Sequence, residues 1–208
     1  PASVATPIGG APSDAIVLFD GKDVSAWESE QGGRVPWRVD DGALTVVPGS
    51  KGIRTRQRFC DMQLHVEWRS PSATAGFDGQ DRGNSGIFLQ ELYELQVLDS
   101  YNNPTYANGQ AGSIYKQGMP LVNASRAPGQ WQVYDIIWKA PRFSQGGGLT
   151  SPARITVLHN GVLVQDDTVL AGKTEYIGAP SYAPHDCAPI SLQEHDSAVS
   201  YRNIWVRE

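Results

Sequence analysis

No stretch of the chain keeps apolar residues at the 3.6-residue spacing of a helix, whereas short alternating segments recur from end to end. Turn-forming residues separate these segments. Asp41-Gly42 and Asn160-Gly161 each stand between two alternating runs, which is a strong hairpin signal. About a dozen strands imply an all-β fold of two packed antiparallel sheets. The predicted strands cover residues 16–19, 37–40, 43–47, 62–69, 86–90, 93–98, 112–115, 132–139, 153–158, 162–166, 190–194 and 202–207.

The length of 208 residues fits one large domain, and all-β sandwiches often reach this size undivided. We predict a single β-sandwich domain over residues 16–208. The opening residues are rich in Ala, Pro and Gly and resemble the tail left after a signal peptide is removed. We therefore expect residues 1–15 to be a flexible segment, and the protein to be exported to the periplasm or the extracellular space.

The overall charge excludes some classes of partner. A net charge of −5 and a pI near 5.4 leave no basic stripe, so nucleic acid and anionic membranes are poor partners. No apolar run approaches the length of a membrane span. Six Trp and eight Tyr can fill a sandwich core or stack on the faces of sugar rings.

The two cysteines, Cys60 and Cys187, lie far apart in the sequence beside predicted strands. In an exported protein, a disulfide between them would close a loop of more than a hundred residues and contribute roughly 4–5 kcal/mol in the chain-entropy model. The alternative is two separate buried thiols. The sequence leaves both alternatives open, because it does not show whether the Cα atoms approach each other.

One segment has polar residues that are unusual for a solvent-exposed strand. From Tyr93 onward, the alternation puts Tyr93, Leu95 and Val97 on one face and Glu94 and Gln96 on the other. The strand leads into a polar turn that begins with the residues Asp-Ser-Tyr-Asn-Asn. This arrangement predicts one wall of a polar cleft that is suited to a ligand rich in hydroxyl groups.

Eight segments of the chain are recognisable when they are taken together. They are LFDGKD (18–23, followed by Trp27), LHVEWR (64–69), RGNSGI (82–87), YELQVLDS (93–100), PGQWQVYD (128–135), HNG (159–161), LQEH (192–195) and YRNI (201–204). Their order resembles the 3-keto-disaccharide hydrolase domain family, and the resemblance extends from about residue 16 to residue 208. Gln130 stands where an acidic residue is frequent in the family, and the two cysteines are not general family features.

The resemblance implies a fold, a substrate and a partner enzyme. The fold would be a concanavalin A-like jelly roll of the lectin and glucanase type, usually exported by bacteria. The substrate would be an oligosaccharide or other glycoside whose glucose unit has been oxidised at C3. An upstream glycoside 3-dehydrogenase would supply it. Family members are associated with lyase or net hydrolase outcomes on such substrates.

A ketone at C3 makes the C2 proton acidic, so a base can start a β-elimination that breaks the C1–oxygen bond once an acid protonates the leaving group. We predict Glu94, His195 and Glu67 as catalytic residues. If strands 62–69 and 190–194 join strand 93–98 in one sheet, a single face carries these residues together with His65, Gln96 and Gln193. The predicted substrate-binding residues are Arg82, Asn84, Gln96, Asp99, Lys116, Arg126 and Gln193.

Arg82 is the first choice as stabiliser of the developing oxyanion, with Lys116 and Arg126 as alternatives. The sequence requires no cofactor. The His-x-Glu spacing of His65 and Glu67 could nevertheless present two ligands of a divalent metal, with His195 as the third. A hydrogen-bond network of the same residues is the alternative.

Two other functions compete with the keto-glycoside reading. A conventional retaining glucanase would place two carboxylates about 5 Å apart, typically at alternate positions of one strand, and here the second position is Gln96. A non-catalytic lectin or carbohydrate-binding module is the alternative from another class, because the fold does not dictate the chemistry. The predicted set of His and Glu side chains favours catalysis.

Overall fold

The computed structural model describes all 208 residues and confirms the all-β prediction. Two short 3-10 turns, Gly79–Asp81 and Ala107–Gly109, are the helical elements. No helix of the structure combines the length and apolarity needed to cross a membrane. In chain order the strands are β1 Ile16–Phe19, β2 Trp27–Ser29, β3 Arg38–Asp40, β4 Ala43–Thr45, β5 Ile53–Thr55, β6 Met62–Arg69, β7 Ser85–Leu89, β8 Tyr93–Val97, β9 Gln132–Lys139, β10 Arg142–Phe143, β11 Leu149–Ser151, β12 Arg154–His159, β13 Val162–Val169, β14 Ser191–Leu192 and β15 Ser200–Arg207.

The strands form two antiparallel sheets and a small ribbon. The larger sheet has eight strands in the order β13, β12, β9, β6, β15, β4 and β3, with β1 also paired to β15. The second sheet has five strands in the order β2, β5, β14, β7 and β8, and the ribbon consists of β10 and β11. The two sheets pack face to face, as the sandwich prediction requires.

The core lies between the inward faces of the two sheets. Leu64, Val66 and Trp68 of β6 point inward from the larger sheet, and Tyr93 and Leu95 of β8 point inward from the smaller one. These side chains belong to one continuous buried cluster. Each fully buried apolar side chain contributes about 1.5–3 kcal/mol relative to exposure. This gain keeps the apolar face of each strand toward the core and leaves the opposite face available for function.

The predicted strand over residues 112–115 does not form. Ile114 makes only isolated bridges, one to Leu95 of β8 and one to Gly118. The backbone has positive φ at Gly112 (81°) and at Lys116 (59°), and these left-handed conformations prevent an extended strand. The sequence prediction lacks the strands β2, β5, β10 and β11, which have only two or three residues each.

The expectation that residues 62–69 and 93–98 share one sheet is wrong. β6 lies in the eight-stranded sheet between β9 and β15, whereas β8 forms an edge of the five-stranded sheet. Alternation determines which residues face the core but not which strand lies alongside. His65 and Glu67 of β6 therefore lie on the opposite side of the molecule from the outward face of β8.

Cys60 and Cys187 are joined in a disulfide, with their Cα atoms 4.6 Å apart. Cys60 stands in the connection between β5 and β6. Cys187 is near the end of the long segment between β13 and β14. The disulfide thus ties this segment, residues 170–190, to the body of the sandwich.

Candidate active site

A pocket of about 550 Å³ lies on the outward face of the five-stranded sheet. Its floor consists of Phe88 from β7, Glu94 and Gln96 from β8, and Gln193 immediately after β14. Three loops and the end of the segment after β14 form the walls. The wall residues are Gln80, Asp81, Asn84, Tyr106, Tyr115, Thr174, Tyr176 and His195.

The register of the strands explains why these side chains converge. Phe88 is paired with Glu94 across β7 and β8. On the other side of β8, the bridge between Leu95 and Ile114 places Tyr115 opposite Glu94, and the N–H of Tyr115 donates to the Glu94 carbonyl at 3.2 Å. Directly opposed residues on an antiparallel pair project from the same face. Phe88, Glu94 and Tyr115 therefore form one row across the pocket floor.

Glu94 is buried without any partner for its charge. Its residue exposure is 6%, and the structure contains no hydrogen bond or ion pair to its carboxyl group. Burial disfavours the ionised form and raises the pKa of Glu94 to about 8. At neutral pH the group is mostly protonated. Once ionised it is a stronger base than an ordinary carboxylate, which suits proton abstraction from carbon.

Gly86 lies close to the Glu94 side chain and leaves room for its carboxyl group. Gly86 is paired with Gln96 on the neighbouring strand, in the row next to Glu94. A Cβ atom at position 86 would lie 2.6 Å from Oε1 of Glu94 and 3.0 Å from the Phe88 ring. Only a residue without a side chain leaves the carboxyl group in its present position.

A chain of amides runs beneath the pocket, and it fixes the orientation of Gln96. The Asn84 Nδ2 donates to the Gln80 carbonyl oxygen at 2.8 Å, so the Asn84 Oδ1 is left to accept from the Gln96 Nε2 at 3.0 Å. A backbone carbonyl can only accept, which sets both directions. The Gln96 Oε1 consequently remains a buried acceptor without a partner.

Two further pocket residues have unpartnered acceptors, the side-chain Oε1 atoms of Gln80 and Gln193. A buried acceptor that lacks a donor costs about 1–3 kcal/mol, so such groups indicate a missing partner. A ligand with several hydroxyl groups would supply the donors. This pattern agrees with the hydroxyl-rich ligand that the sequence predicts.

One wall is built from tyrosines and a lysine. The hydroxyl groups of Tyr106 and Tyr115 are hydrogen-bonded to each other at 2.8 Å. The Lys116 Nζ donates to the Tyr176 carbonyl oxygen at 2.6 Å and lies 4.1 Å from the centroid of the Tyr176 ring. Next to this contact, the Thr174 Oγ1 accepts the backbone N–H of Glu94 at 2.9 Å. These contacts hold the 170–190 segment against β8.

The structure brings together five of the residues predicted from sequence: Asn84, Glu94, Gln96, Gln193 and His195. His195 lies at the exposed rim. The sequence reasoning missed the aromatic and hydroxyl residues of the walls. The bridge at Ile114 would have indicated Tyr115, but an isolated bridge leaves no alternation in the sequence. The missed pocket residues are Gln80, Asp81, Phe88, Tyr106, Tyr115, Thr174 and Tyr176.

Three predicted cationic residues lie outside the pocket, together with Asp99. The Arg82 Nε donates to Oδ2 of the buried Asp99 at 2.7 Å, and this pair borders a separate cavity of about 220 Å³. Lys116 is occupied by Tyr176 at the edge of the wall. Arg126 donates to the Trp131 carbonyl oxygen at 2.8 Å. The two arginines thus stabilise loops, and no arginine lines this pocket to act as the predicted stabiliser of the oxyanion.

Glu67 and His65 lie on the outward face of the eight-stranded sheet. Desolvation raises the pKa of Glu67, but hydrogen bonds from Asn203 (2.9 Å) and Arg202 (2.6 Å) outweigh it and leave the pKa below its ordinary value. The His65 Nδ1 is bonded to the Asp135 carboxylate at 2.7 Å. The two residues belong to a hydrogen-bond network, which is the alternative that the sequence left open.

The proposed metal ligand set is not assembled, since His65 and Glu67 lie on one sheet and His195 lies beside the other. No group of three or more His, Cys, Asp or Glu side chains in the structure is arranged to hold a metal ion. The chemistry that this pocket offers comes from a buried carboxyl group, carboxamides, phenols and an imidazole.

A second, wider cleft of about 930 Å³ lies beside the disulfide and is lined by Arg58, Arg142 and His185 among others. Arg142 is paired with Asp61 at 2.9 Å, and His185 accepts from or donates to the Tyr93 hydroxyl at 2.8 Å. The larger volume does not make it the better candidate. The smaller pocket is the stronger one because it contains the unpaired buried carboxyl group and the unpartnered acceptors.

Comparisons with known proteins agree with this architecture. A family model described as a 3-keto-alpha-glucoside-1,2-lyase-like domain matches residues 14–207, which confirms the resemblance drawn from the motifs. No curated protein matches the chain. A crystal structure from Parabacteroides distasonis ATCC 8503, provisionally described as a glycosyl hydrolase, is 54% identical with a TM-score of 0.94 and is aligned over 100% of this chain and 92% of its own. Another protein of that organism, given the same description, is 19% identical with a TM-score of 0.70 over 93% of each chain, and it supports the fold alone.

Proposed function

Since the chain belongs to the 3-keto-alpha-glucoside-1,2-lyase-like domain family, we propose that it is a carbohydrate-active enzyme that cleaves 3-keto-glycosides by β-elimination, with net hydrolysis if water adds afterwards. The description of its 54% identical neighbour as a glycosyl hydrolase supports a role on glycosides. The observation that carries the proposal is the unpaired Glu94 carboxyl group, whose burial raises its pKa to about 8, in a pocket of unpartnered hydrogen-bond acceptors.

In this proposal, Glu94 is the base that removes the C2 proton. The ketone at C3 makes that proton acidic because the resulting carbanion is delocalised onto oxygen as an enolate. A buried carboxylate without counter-ions is a strong base, and substrate binding further excludes water from it. The same carboxyl group can return the proton in the reverse direction.

The enolate oxygen requires hydrogen-bond donors, and none of the predicted arginines is in position to supply them. On the pocket floor, the carboxamide of Gln193 is the group best suited to donate to this oxygen. Its Oε1 has no partner within the chain, and its amide can rotate to present N–H groups. A single oxyanion donor can contribute about 10²–10³ in kcat. His195, at the rim, is positioned to exchange protons with solvent.

The decisive assay compares ordinary and 3-oxidised glucosides. The protein is incubated with a glucoside and with its 3-keto form, and products are identified by mass. We expect release of the aglycone from the keto form alone, because the C2 proton of an unoxidised sugar is far too weakly acidic. Comparable turnover of both would support a conventional glucanase, and saturable binding without turnover would support a lectin.

Repeating the assay with a chelator tests whether a divalent metal takes part.

The substrate class also implies a place in a reaction sequence, since a glycoside 3-dehydrogenase must act before this enzyme. We propose export to the periplasm or extracellular space, and the disulfide supports this because such bonds persist in oxidising compartments.

A further inference from the structure

The proposed elimination needs an acid for the leaving oxygen as well as a base for C2. The two groups must act on atoms only two bonds apart, C2 and the oxygen on C1. They should therefore project side by side into the pocket. Neither Glu94 nor His195 fills this role, because Glu94 is the base and His195 lies at the exposed rim and not in the row that contains Glu94.

Tyr115 lies next to Glu94 in that row. The bridge of Ile114 with Leu95 sets the register, and the 3.2 Å hydrogen bond from the Tyr115 N–H to the Glu94 carbonyl oxygen secures it. Cβ atoms of directly opposed residues are about 4.5–5.5 Å apart. Both side chains line the same pocket, so a sugar above them can present C2 to one and its glycosidic oxygen to the other.

The surroundings of Tyr115 keep it protonated. Desolvation, with the hydrogen bond to Tyr106 and the nearby Glu94 carboxyl group as lesser causes, raises the pKa of Tyr115. The phenol is therefore neutral in the resting enzyme. Either hydroxyl group of the Tyr106–Tyr115 pair can be the donor. The reaction uses the arrangement in which Tyr106 donates, because the Tyr115 proton is then free to point at the ligand.

Resting on the proposed function, we propose that Tyr115 is the catalytic acid that protonates the departing glycosidic oxygen. The Glu94 carboxylate takes the C2 proton, and the C2–H electron pair ends as the C1–C2 double bond of a 3-keto enone. The C1–oxygen bond breaks with its electron pair on oxygen, which receives the phenolic proton. Glu94 is then protonated and Tyr115 is a phenolate, so transfer of the proton between them, through water, restores both groups.

An acid that assists departure matters most when the leaving group is poor. We expect Tyr115→Phe to lower kcat by about 10²–10⁴ on methyl 3-keto-glucoside, the usual contribution of a positioned proton donor. On p-nitrophenyl 3-keto-glucoside, whose leaving group departs without protonation, the loss should be small. Tyr101→Phe is the matched control, because it removes an exposed tyrosine hydroxyl that lies outside the pocket. It should affect both substrates alike and only slightly.

The outcomes separate this inference from the proposed function. If the wild-type protein cleaves neither keto-glucoside, the proposed function fails and the acid role falls with it. If the wild type cleaves both but Tyr115→Phe loses the same factor on each, or loses nothing, the role of Tyr115 alone is overturned. Should the variant fold poorly, the wild type decides: a kcat for methyl 3-keto-glucoside that is orders of magnitude below that for the p-nitrophenyl compound would contradict assisted departure.

Discussion

Glu67 and Glu94 occupy similar places on opposite sides of the sandwich. Each stands at an outward position of an alternating strand, and each is largely shielded from solvent, with a side-chain exposure of 14% for Glu67 and a residue exposure of 6% for Glu94. Glu67 receives hydrogen bonds from Arg202 and Asn203, and its pKa is lowered. Glu94 receives none, and burial raises its pKa to about 8. Burial alone therefore does not distinguish a structural carboxylate from a reactive one, whereas the presence of partners does.

The largest expected effect is the loss of activity in Glu94→Gln. This change keeps the size of the side chain and removes the base, so kcat on a 3-keto-glucoside should fall by about 10²–10⁴ with little change in ligand affinity. Glu67→Gln is the matched control and should retain kcat, since Glu67 lies on the other sheet. Steady-state kinetics on the two variants check the contrast. Equal losses in both would remove the functional distinction between the two sides.

A smaller effect is expected from Gly86→Ala. The added Cβ would stand 2.6 Å from the Glu94 carboxyl oxygen, so the carboxyl group must shift. A displacement of about 1 Å at a catalytic group can cost about 10²-fold in rate. Gly118→Ala is the control, because its Cβ would meet no atom closer than 3.5 Å. Full activity of Gly86→Ala would mean that the position of Glu94 is not critical.

The two glutamates should also respond to pH in opposite directions. The raised pKa of Glu94 means that the folded protein holds this proton more tightly than the unfolded chain. The resulting stability is present below the unfolded pKa of about 4.5 and is lost as pH rises to about 8. Over the same range kcat/KM should rise, because the base becomes ionised. Denaturant unfolding between pH 5 and about 9 should show Glu94→Gln gaining stability relative to the wild type.

The smallest effect concerns the stability that Glu67 contributes. Its lowered pKa gives a stabilisation that is present above the unfolded pKa and is lost as pH falls through the folded pKa, below the ordinary 4.5. Since Arg202 is partly exposed, we expect Glu67→Gln to reduce the free energy of unfolding by only about 1–2 kcal/mol at pH 7. Urea titration measures this. A variant as stable as the wild type at pH 7 would show that the network on this face is energetically neutral.

Alternation in the sequence was sufficient to assign Glu94 and Gln96 to an outward face and Tyr93 and Leu95 to the core. It was not sufficient to tell which strands are neighbours, so Glu67 was grouped with Glu94. Sheet order depends on the packing of the whole core, which a local pattern does not contain. Long-range pairing also decides whether an arginine binds a ligand or a carboxylate, and Arg82 binds Asp99.

The Tyr115 wall could not be predicted for a different reason. Its position depends on the bridge of Ile114 with Leu95, where Ile114 stands between the left-handed residues Gly112 and Lys116, and on Thr174 from a distant segment. The motifs identified the family and the buried strand. The loops that close the pocket carry little regular pattern, and their conformation is set by contacts made only in the folded chain.

The disulfide has a consequence for the chemistry of the pocket wall. The 170–190 segment carries Thr174 and Tyr176 of the pocket wall. Near the end of this segment, Cys187 is joined to Cys60 by a covalent bond. Preparing the protein in a reducing cytoplasm would release that anchor while leaving the hydrophobic core intact. Recombinant material could then be folded yet have a loosened wall, so a thiol count on each preparation should accompany any report of low activity.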